Sequence, residues 1–308
     1  MRLLVLGAAA GGGFPQWNAR HPACLRARAG DPAARPATQA SIGVSVDGLR
    51  WVLVNAAPDL RQQIQANAVL WPHEGLRSSP IQAVVLTNAD VDAVMGLLHL
   101  REGTAFAIHA HPNVLAALDA NPIFGVLHPD IVARQAMLPE TAFEPVDRDG
   151  CGLGFRVRPF LAPGKVPLYA EAAAGEALDT AALSGDALGL EVEAGGRRVV
   201  YLANCARVTA ELCSRIEGAD VLFMDGTLWT DDEMIRMGVG RKTAARMGHV
   251  AMSGPEGAIA ALEGVSAGRR LFIHVNNTNP ALLADSPERR TLEAAGWAMC
   301  HDGMELQL

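Results

Sequence analysis

The sequence predicts an α/β protein built as a layered sandwich of two mixed β-sheets with helices on the outside. Three observations lead there. Strand-like and helix-like runs alternate through both halves of the 308 residues, the pattern that covers sheets with helices. Two strand-like runs, 40–46 and 51–55, meet across Asp47–Gly48 with no helix between them, a hairpin signal that one doubly wound parallel sheet does not need. Finally, half of the chain is hydrophobic and only 19% is charged, with a mean hydropathy of +0.15. That is ample material for a core and argues against disorder.

Taken in order, strand-like runs fall at 2–7, 40–46, 51–55, 82–87, 105–110, 198–203, 220–225 and 269–275. Helical periodicity and start signals mark 58–66, 90–101, 112–119, 208–217, 255–263 and 288–295. Pro58 and Asp59 sit in the first turn of 58–66, where proline is tolerated and an acidic side chain complements the helix dipole. Thr209 is the expected N-cap of 208–217. Segment 165–197, rich in Ala, Gly and Glu, reads as a loop-rich excursion. No repeat and no internal boundary is visible, so 1–308 is read as a single domain.

The formal net charge of −7 argues against a nucleic-acid surface. The basic pairs Arg197–Arg198, Arg241–Lys242 and Arg269–Arg270 read as solvated surface. Five widely spaced cysteines form no CxxC, which fits reduced thiols and a cytoplasmic location. The start, MRLLVLGAAAGGGFPQW, reads as a strand and a glycine-rich turn rather than a cleaved leader. No apolar run is long enough to span a bilayer.

The most informative stretch is VVLTNADVDAVMGLLHLRE, Val84 to Glu102. A buried-strand pattern runs into an acidic turn and then a helix, the place where α/β sheets put their chemistry. Asp90 and Asp92 alternate there and suit a metal or acid/base role, although the turn itself has no His. The glycines at 11–13 lack the GxGxxG spacing, and Pro15 blocks the helix that a dinucleotide would need. His21 and Cys24 offer two zinc ligands of the usual four, and a surface loop is the stronger reading of that segment. His109 and His111 alternate at a strand end. His249 lies in a glycine-flanked loop, and His274 ends an apolar strand ahead of Asn276, Asn277 and Asn279, a use of polar residues that points to a site. Asp225 fits equally a turn former and a site residue. Cys205 has no His near it in sequence to activate it. Lys165 suits either an anion contact or solvent.

Together, LGAAAGGGFPQWN, TQASIGVSVDG, WVLVNAAPDLRQQI, SPIQAVVLTNADVDAVMGLLHLRE, NCARVT, DGTLW, MGHVAMSG and HVNNTNP resemble, in order and over nearly the whole chain, the coenzyme PQQ synthesis protein B family. The resemblance implies a metallo-β-lactamase-like αββα sandwich with a metal cleft at the strand ends, and a part in making pyrroloquinoline quinone. It implies an iron-dependent hydroxylase acting on the tyrosine ring of a Glu–Tyr unit from a precursor peptide. Alternatively, it implies a carrier that moves PQQ or its precursor towards the periplasm. The family's Asp-His turn falls on Asp92 and Ala93, so the imidazole is lost at position 93. His274 and His249 fall on its later histidines. Its CxCxxC-type zinc run falls on Ala19, His21 and Cys24, where alanine cannot be a ligand.

On this reading Fe(II) is the expected metal, held by Asp92, His249 and His274 with Asp90 as a further candidate, while zinc at His21 and Cys24 is doubtful. Lys165, Asn276 and Asn277 are expected to hold substrate. A carrier would instead offer cations to PQQ carboxylates, with Lys165 and Arg61 the candidates. A two-zinc hydrolase is disfavoured by the missing histidine run. The expected partners are PQQ or its peptide-derived precursor and a second copy of the chain, with no nucleic acid and no membrane insertion.

Overall fold

A computed structural model describes residues 1–175 and 178–308. The first sheet contains β1 (Arg2–Gly7), β2 (Ser41–Ser45), β3 (Trp51–Val54), β4 (Ile81–Leu86), β5 (Phe106–Ala110) and β6 (Val132–Ala136). The second contains β7 (Arg156–Leu161), β8 (Leu188–Ala194), β9 (Arg197–Leu202), β10 (Ala219–Asp225), β11 (Ala267–Ile273) and β12 (Trp297–Met299). Strand β13 (Glu305–Gln307) returns to the first sheet, giving the orders β13-β1-β2-β3-β4-β5-β6 and β12-β11-β10-β9-β8-β7. Both sheets are mixed. Pairing is antiparallel from β13 through β1 and β2 to β3, then parallel out to β6. In the second sheet β7, β8 and β9 are antiparallel, and β9 to β12 run parallel.

The period-2 alternation of each strand decides the layering. Val52 and Val54 of β3 face a core between the sheets, while Trp51 and Leu53 face the helices outside. In β10, Val221 and Phe223 point inward and Leu222 and Met224 outward. Strands buried on both faces read as unbroken apolar runs, which is why β1, β4 and β10 are plain in the sequence. The hairpin at Asp47–Gly48 also forms: Gly48 has φ 78°, and the Asp47 carboxylate accepts from the backbone N–H of Leu49 and Arg50, both at 2.8 Å.

Several expectations need correction. The excursion at 165–197 contains β8, whose Leu188, Leu190 and Val192 enter the inter-sheet core; the glycines and glutamates around them mask the alternation. Residues 176 and 177 of that segment lie outside the described residues. A helix, Pro22–Arg28, occupies the segment read as a surface loop, and Pro22 at its start is where proline suits a helix. The helix at 90–101 is α-helical only over Val91–Val94 and continues as 3-10 over Met95–Leu100. Asp59 stands at the start of helix Leu60–Ala66, but its carboxylate accepts from the Gln39 backbone N–H and side-chain amide at 2.8 and 3.0 Å. Thr209 caps helix Ala210–Ile216 as expected, accepting from the Leu212 N–H at 3.2 Å. No helix among the described residues is long and apolar enough to cross a membrane.

Candidate metal centre

The carboxyl ends of β4, β10 and β11 supply the centre. Strand β4 ends at Leu86, and the turn after it is pinned by Asn55 at the end of β3. The Asn55 side-chain carbonyl accepts from the Thr87 N–H at 2.9 Å, and its amide donates to the Thr87 hydroxyl at 3.0 Å. The turn delivers Asp90 to the N-cap position of helix Val91–Val94, with Asp92 in its first turn. Strand β10 ends on Asp225, fully buried. Strand β11 ends at Ile273, and the next residue, His274, has a left-handed φ of 60°, uncommon for a side chain of this kind and characteristic of constrained sites.

These ends converge. The ligating atoms of Asp225, His249 and His274 all lie within 4.8 Å of one another, and the two imidazoles stack with centroids 5.4 Å apart. His274 Nε2 lies 3.0 Å from Asp92 Oδ2, and His249 Nδ1 lies 2.7 Å from Asp225 Oδ2. Thr227 ties them together. Its hydroxyl donates to Asp225 Oδ1 at 2.7 Å and stands 2.9 Å from His274 Nδ1. One hydroxyl proton serves one acceptor, so His274 Nδ1–H donates to Thr227, and in the imidazolium form its Nε2–H donates to Asp92 Oδ2 at 3.0 Å. The second Asp225 oxygen also accepts the Cys205 backbone N–H at 2.9 Å.

The electrostatics agree with that wiring. Burial disfavours charge on both Asp92 and His274, but their hydrogen bond and mutual attraction outweigh it, holding the Asp92 pKa down and raising that of His274. Asp90 differs: burial first, and then the neighbouring Asp92 charge, raise its pKa.

The centre forms one wall of a cavity of about 830 Å³. Asp90, Asp92, Lys165, His249, His274 and Asn276 line it. Asn277 does not. Its side-chain oxygen lies 2.7 Å from His21 Nε2, and its amide donates to Gln16 and, at 3.0 Å, to the Asn276 side-chain oxygen, so it stands behind two lining residues and not on the wall itself. Arg61 is exposed on its helix and is not among the lining residues. Lys165 is no free cation, because its ammonium pairs with Glu171 at 3.0 Å. Ala93 packs in the apolar layer outside the first sheet. His21 and Cys24 approach to 3.2 Å, but among the described residues no third His, Cys or carboxylate joins them, so this donor set does not fit a structural zinc.

Other sequence candidates are used structurally. His109 is buried, stacks on Phe143 at 4.7 Å, and is pushed by burial to a pKa of about 4. His111 instead caps helix Pro112–Ala120, accepting from the Asn113 N–H. The Cys205 thiol is buried and donates to the Arg207 carbonyl, and burial raises its pKa. Asp225 and Thr227 are the residues that sequence reasoning undervalued. Asp225 carried an ambiguous signal; Thr227 carried none.

Two mixed sheets with acidic and imidazole side chains gathered at their strand ends suit a β-lactamase superfamily domain, and the description of that domain matches residues 50–275. The chain is 52% identical over 308 residues to coenzyme PQQ synthesis protein B of Methylorubrum extorquens, covering all of both chains. It is 52% identical over 306 residues to that of Gluconacetobacter diazotrophicus, covering 99% of this chain and 98% of the relative. A crystal structure of Zn²⁺-bound PqqB from Methylobacterium extorquens superposes with a TM-score of 0.95 at 51% identity over the full length of both. A diphosphatase of the PhnP family, 19% identical with a TM-score of 0.65 over 100% of this chain and 97% of its own, shares the fold alone. The chain belongs to the coenzyme PQQ synthesis protein B family.

Proposed function

We propose that this protein takes part in the biosynthesis of pyrroloquinoline quinone as a metal-dependent hydroxylase of a tyrosine ring in a Glu–Tyr unit derived from the precursor peptide. The observation that carries the reading is the cluster of Asp225, His249 and His274, whose two histidines line the large cavity while the buried carboxylate stands directly behind them. Two imidazoles and a carboxylate suit non-haem Fe(II), and also zinc, which the solved relative holds. The residues fit a cation in another respect. Three carboxylates, Asp90, Asp92 and Asp225, gather there, and burial already sets Asp90 against being charged.

Asp225, His249 and His274 would hold Fe(II), which would supply oxygen activation there. The chain's own residues do the remaining work. Thr227, whose hydroxyl is within hydrogen-bond reach of both rings, fixes the orientations of His249 and His274, as outer partners of ligating histidines do. Asp92 holds His274 from the other side. Asn276 and Lys165 line the path along which the polar ends of a dipeptide would lie.

Anaerobic reconstitution with Fe(II), elemental analysis and addition of O₂ with Glu–Tyr and a two-electron reductant such as ascorbate, which takes the second oxygen atom to water, test the reading. The expected result is about one ion per chain and gain of one oxygen atom by the tyrosine ring, both lost in Asp225→Asn. Iron that binds without any hydroxylation removes the enzyme. Tight PQQ binding by metal-free protein that has no turnover would instead favour the carrier.

A further inference from the structure

Opposite in charge to the metal ligands, a second cluster stands at the same cavity. Glu171, at the start of the short helix Glu171–Ala174, receives Lys165 at 3.0 Å, Lys242 at 2.8 Å and Arg246 at 3.3 Å. One carboxylate therefore gathers three cations and leaves a local excess of two positive charges in a chain whose net charge is −7. Lys165, Glu171 and Lys242 line the cavity. The Lys165 and Glu171 side chains are only 11% exposed, so that pair is not a solvated surface pair of the kind that contributes little; Lys242 and Arg246 reach Glu171 from more open positions, 37% and 46% exposed, with Arg246 just outside the lining.

The cluster is also built into the backbone that makes the metal centre. Gly248 has φ +84°, and a Cβ there would stand 3.1 Å from the Lys165 stem. Glycine at 248 thus lets the Lys165 chain lie along the loop that presents His249. Burial would raise the Glu171 pKa, yet the hydrogen bonds and charges of Lys242 and Lys165 hold it at about 2, so the carboxylate stays charged and keeps the cations assembled.

We propose that Lys165, Lys242 and Arg246, organised by Glu171, form an anion-binding wall that takes a carboxylate of the substrate and so turns its uncharged reactive end towards the Asp225–His249–His274 cluster. The acidic cluster repels an anionic group and the cationic wall attracts it, so the field across the cavity selects one of the two orientations. A bidentate guanidinium and two ammonium groups suit carboxylates in particular. The ligand class is a small aromatic compound with at least one carboxylate remote from the ring atom that reacts. The proposal rests on the reading above in treating this cavity as the substrate site.

Equilibrium dialysis of the full chain with two probes, PQQ and benzene-1,3,5-tricarboxylate, tests it at low and high salt, with thermal unfolding as the check on folding. Both probes should bind wild type less tightly as salt rises. Lys242→Met/Arg246→Met should weaken both by roughly tenfold or more, as loss of a charge-assisted hydrogen bond implies, with a shallower salt dependence. Glu171→Gln, which removes the charge that holds the three cations together, should weaken both. A folded double variant with wild-type affinity and salt dependence overturns the wall, as does wild type that binds neither probe. If the double variant does not fold, Lys242→Gln alone carries the comparison. PQQ that binds wild type without regard to these cations sinks the wall and leaves the PQQ reading standing. A tricarboxylate that binds through them while PQQ does not bind at all has the opposite meaning.

Discussion

At the scale of single residues, the centre depends on a hydroxyl with no signal of its own in the sequence. Thr227 donates to Asp225 and stands within hydrogen-bond reach of both imidazoles, so it sets which ring nitrogens face outward. Thr227→Val keeps the shape and removes the hydroxyl. Metal affinity, measured by competition with a chromogenic chelator, should fall roughly tenfold or more, the usual effect of losing an outer partner of a ligand, and unchanged affinity would take this orienting role away from Thr227. His274 was legible because a histidine closing an apolar strand has little structural reason to be there. Asp225 was half legible, since Asp before Gly also makes turns. Asn277 misled because its neighbour Asn276 does line the cavity. The Asn277 amide supports Asn276 and Gln16 from behind, and only the fold decides which of two hydrogen-bonded neighbours reaches the cavity.

At the scale of elements, the acidic turn is positioned by close packing more than by helix propensity. Gly96 lies against the end of β3, where its N–H donates to the Ala56 carbonyl at 2.8 Å, and a Cβ there would meet the Ala56 and Ala57 carbonyl oxygens at 2.7 and 2.1 Å. Backbone on both sides leaves nothing free to yield. Gly96→Ala should cost about 1–3 kcal/mol in urea unfolding and should displace helix Val91–Val94 enough to lower metal occupancy; a variant as stable as wild type with full metal would refute this account. The same packing explains why a single helix was read over 90–101. The apolar spacing is helical, but contact with β3 tightens the second half into 3-10 turns, and spacing alone does not report that constraint. Strands β6, β12 and β13 escaped notice for another reason. Each is short or largely exposed, and edge strands lack the apolar runs of central ones.

For the whole molecule, the two-sheet architecture was legible because the chain alternates its elements yet keeps an obvious hairpin, and because both faces of the central strands are apolar. The joining of distant segments was not legible. Position 92, after β4 of the first sheet, meets position 274 after β11 of the second, while position 171, between the antiparallel β7 and β8, meets 242 and 246 on the connection from β10 to β11 of the same sheet. The second of these contacts should govern acid stability. Glu171 has its folded pKa lowered from 4.5 to about 2, so its contribution is complete above pH 4.5 and is lost as pH falls towards 2. Chemical unfolding of wild type and Glu171→Gln should therefore differ near pH 5, with wild type the more stable, and should converge near pH 2. A gap that stays constant across that range would mean the ion pairs do not stabilise the fold.

The left-handed backbone at His274 bears on how this protein would respond to laboratory evolution. Holding a histidine at φ 60° is a standing strain of about 1–2 kcal/mol, and asparagine or glycine at the same place would relieve it. The histidine's pair with Asp92 works the other way, because without the imidazole that carboxylate loses its partner, at a cost of about 3–5 kcal/mol. Selection for heat tolerance would therefore retain histidine at 274 despite its backbone, and a screen for robustness would preserve this candidate ligand unasked.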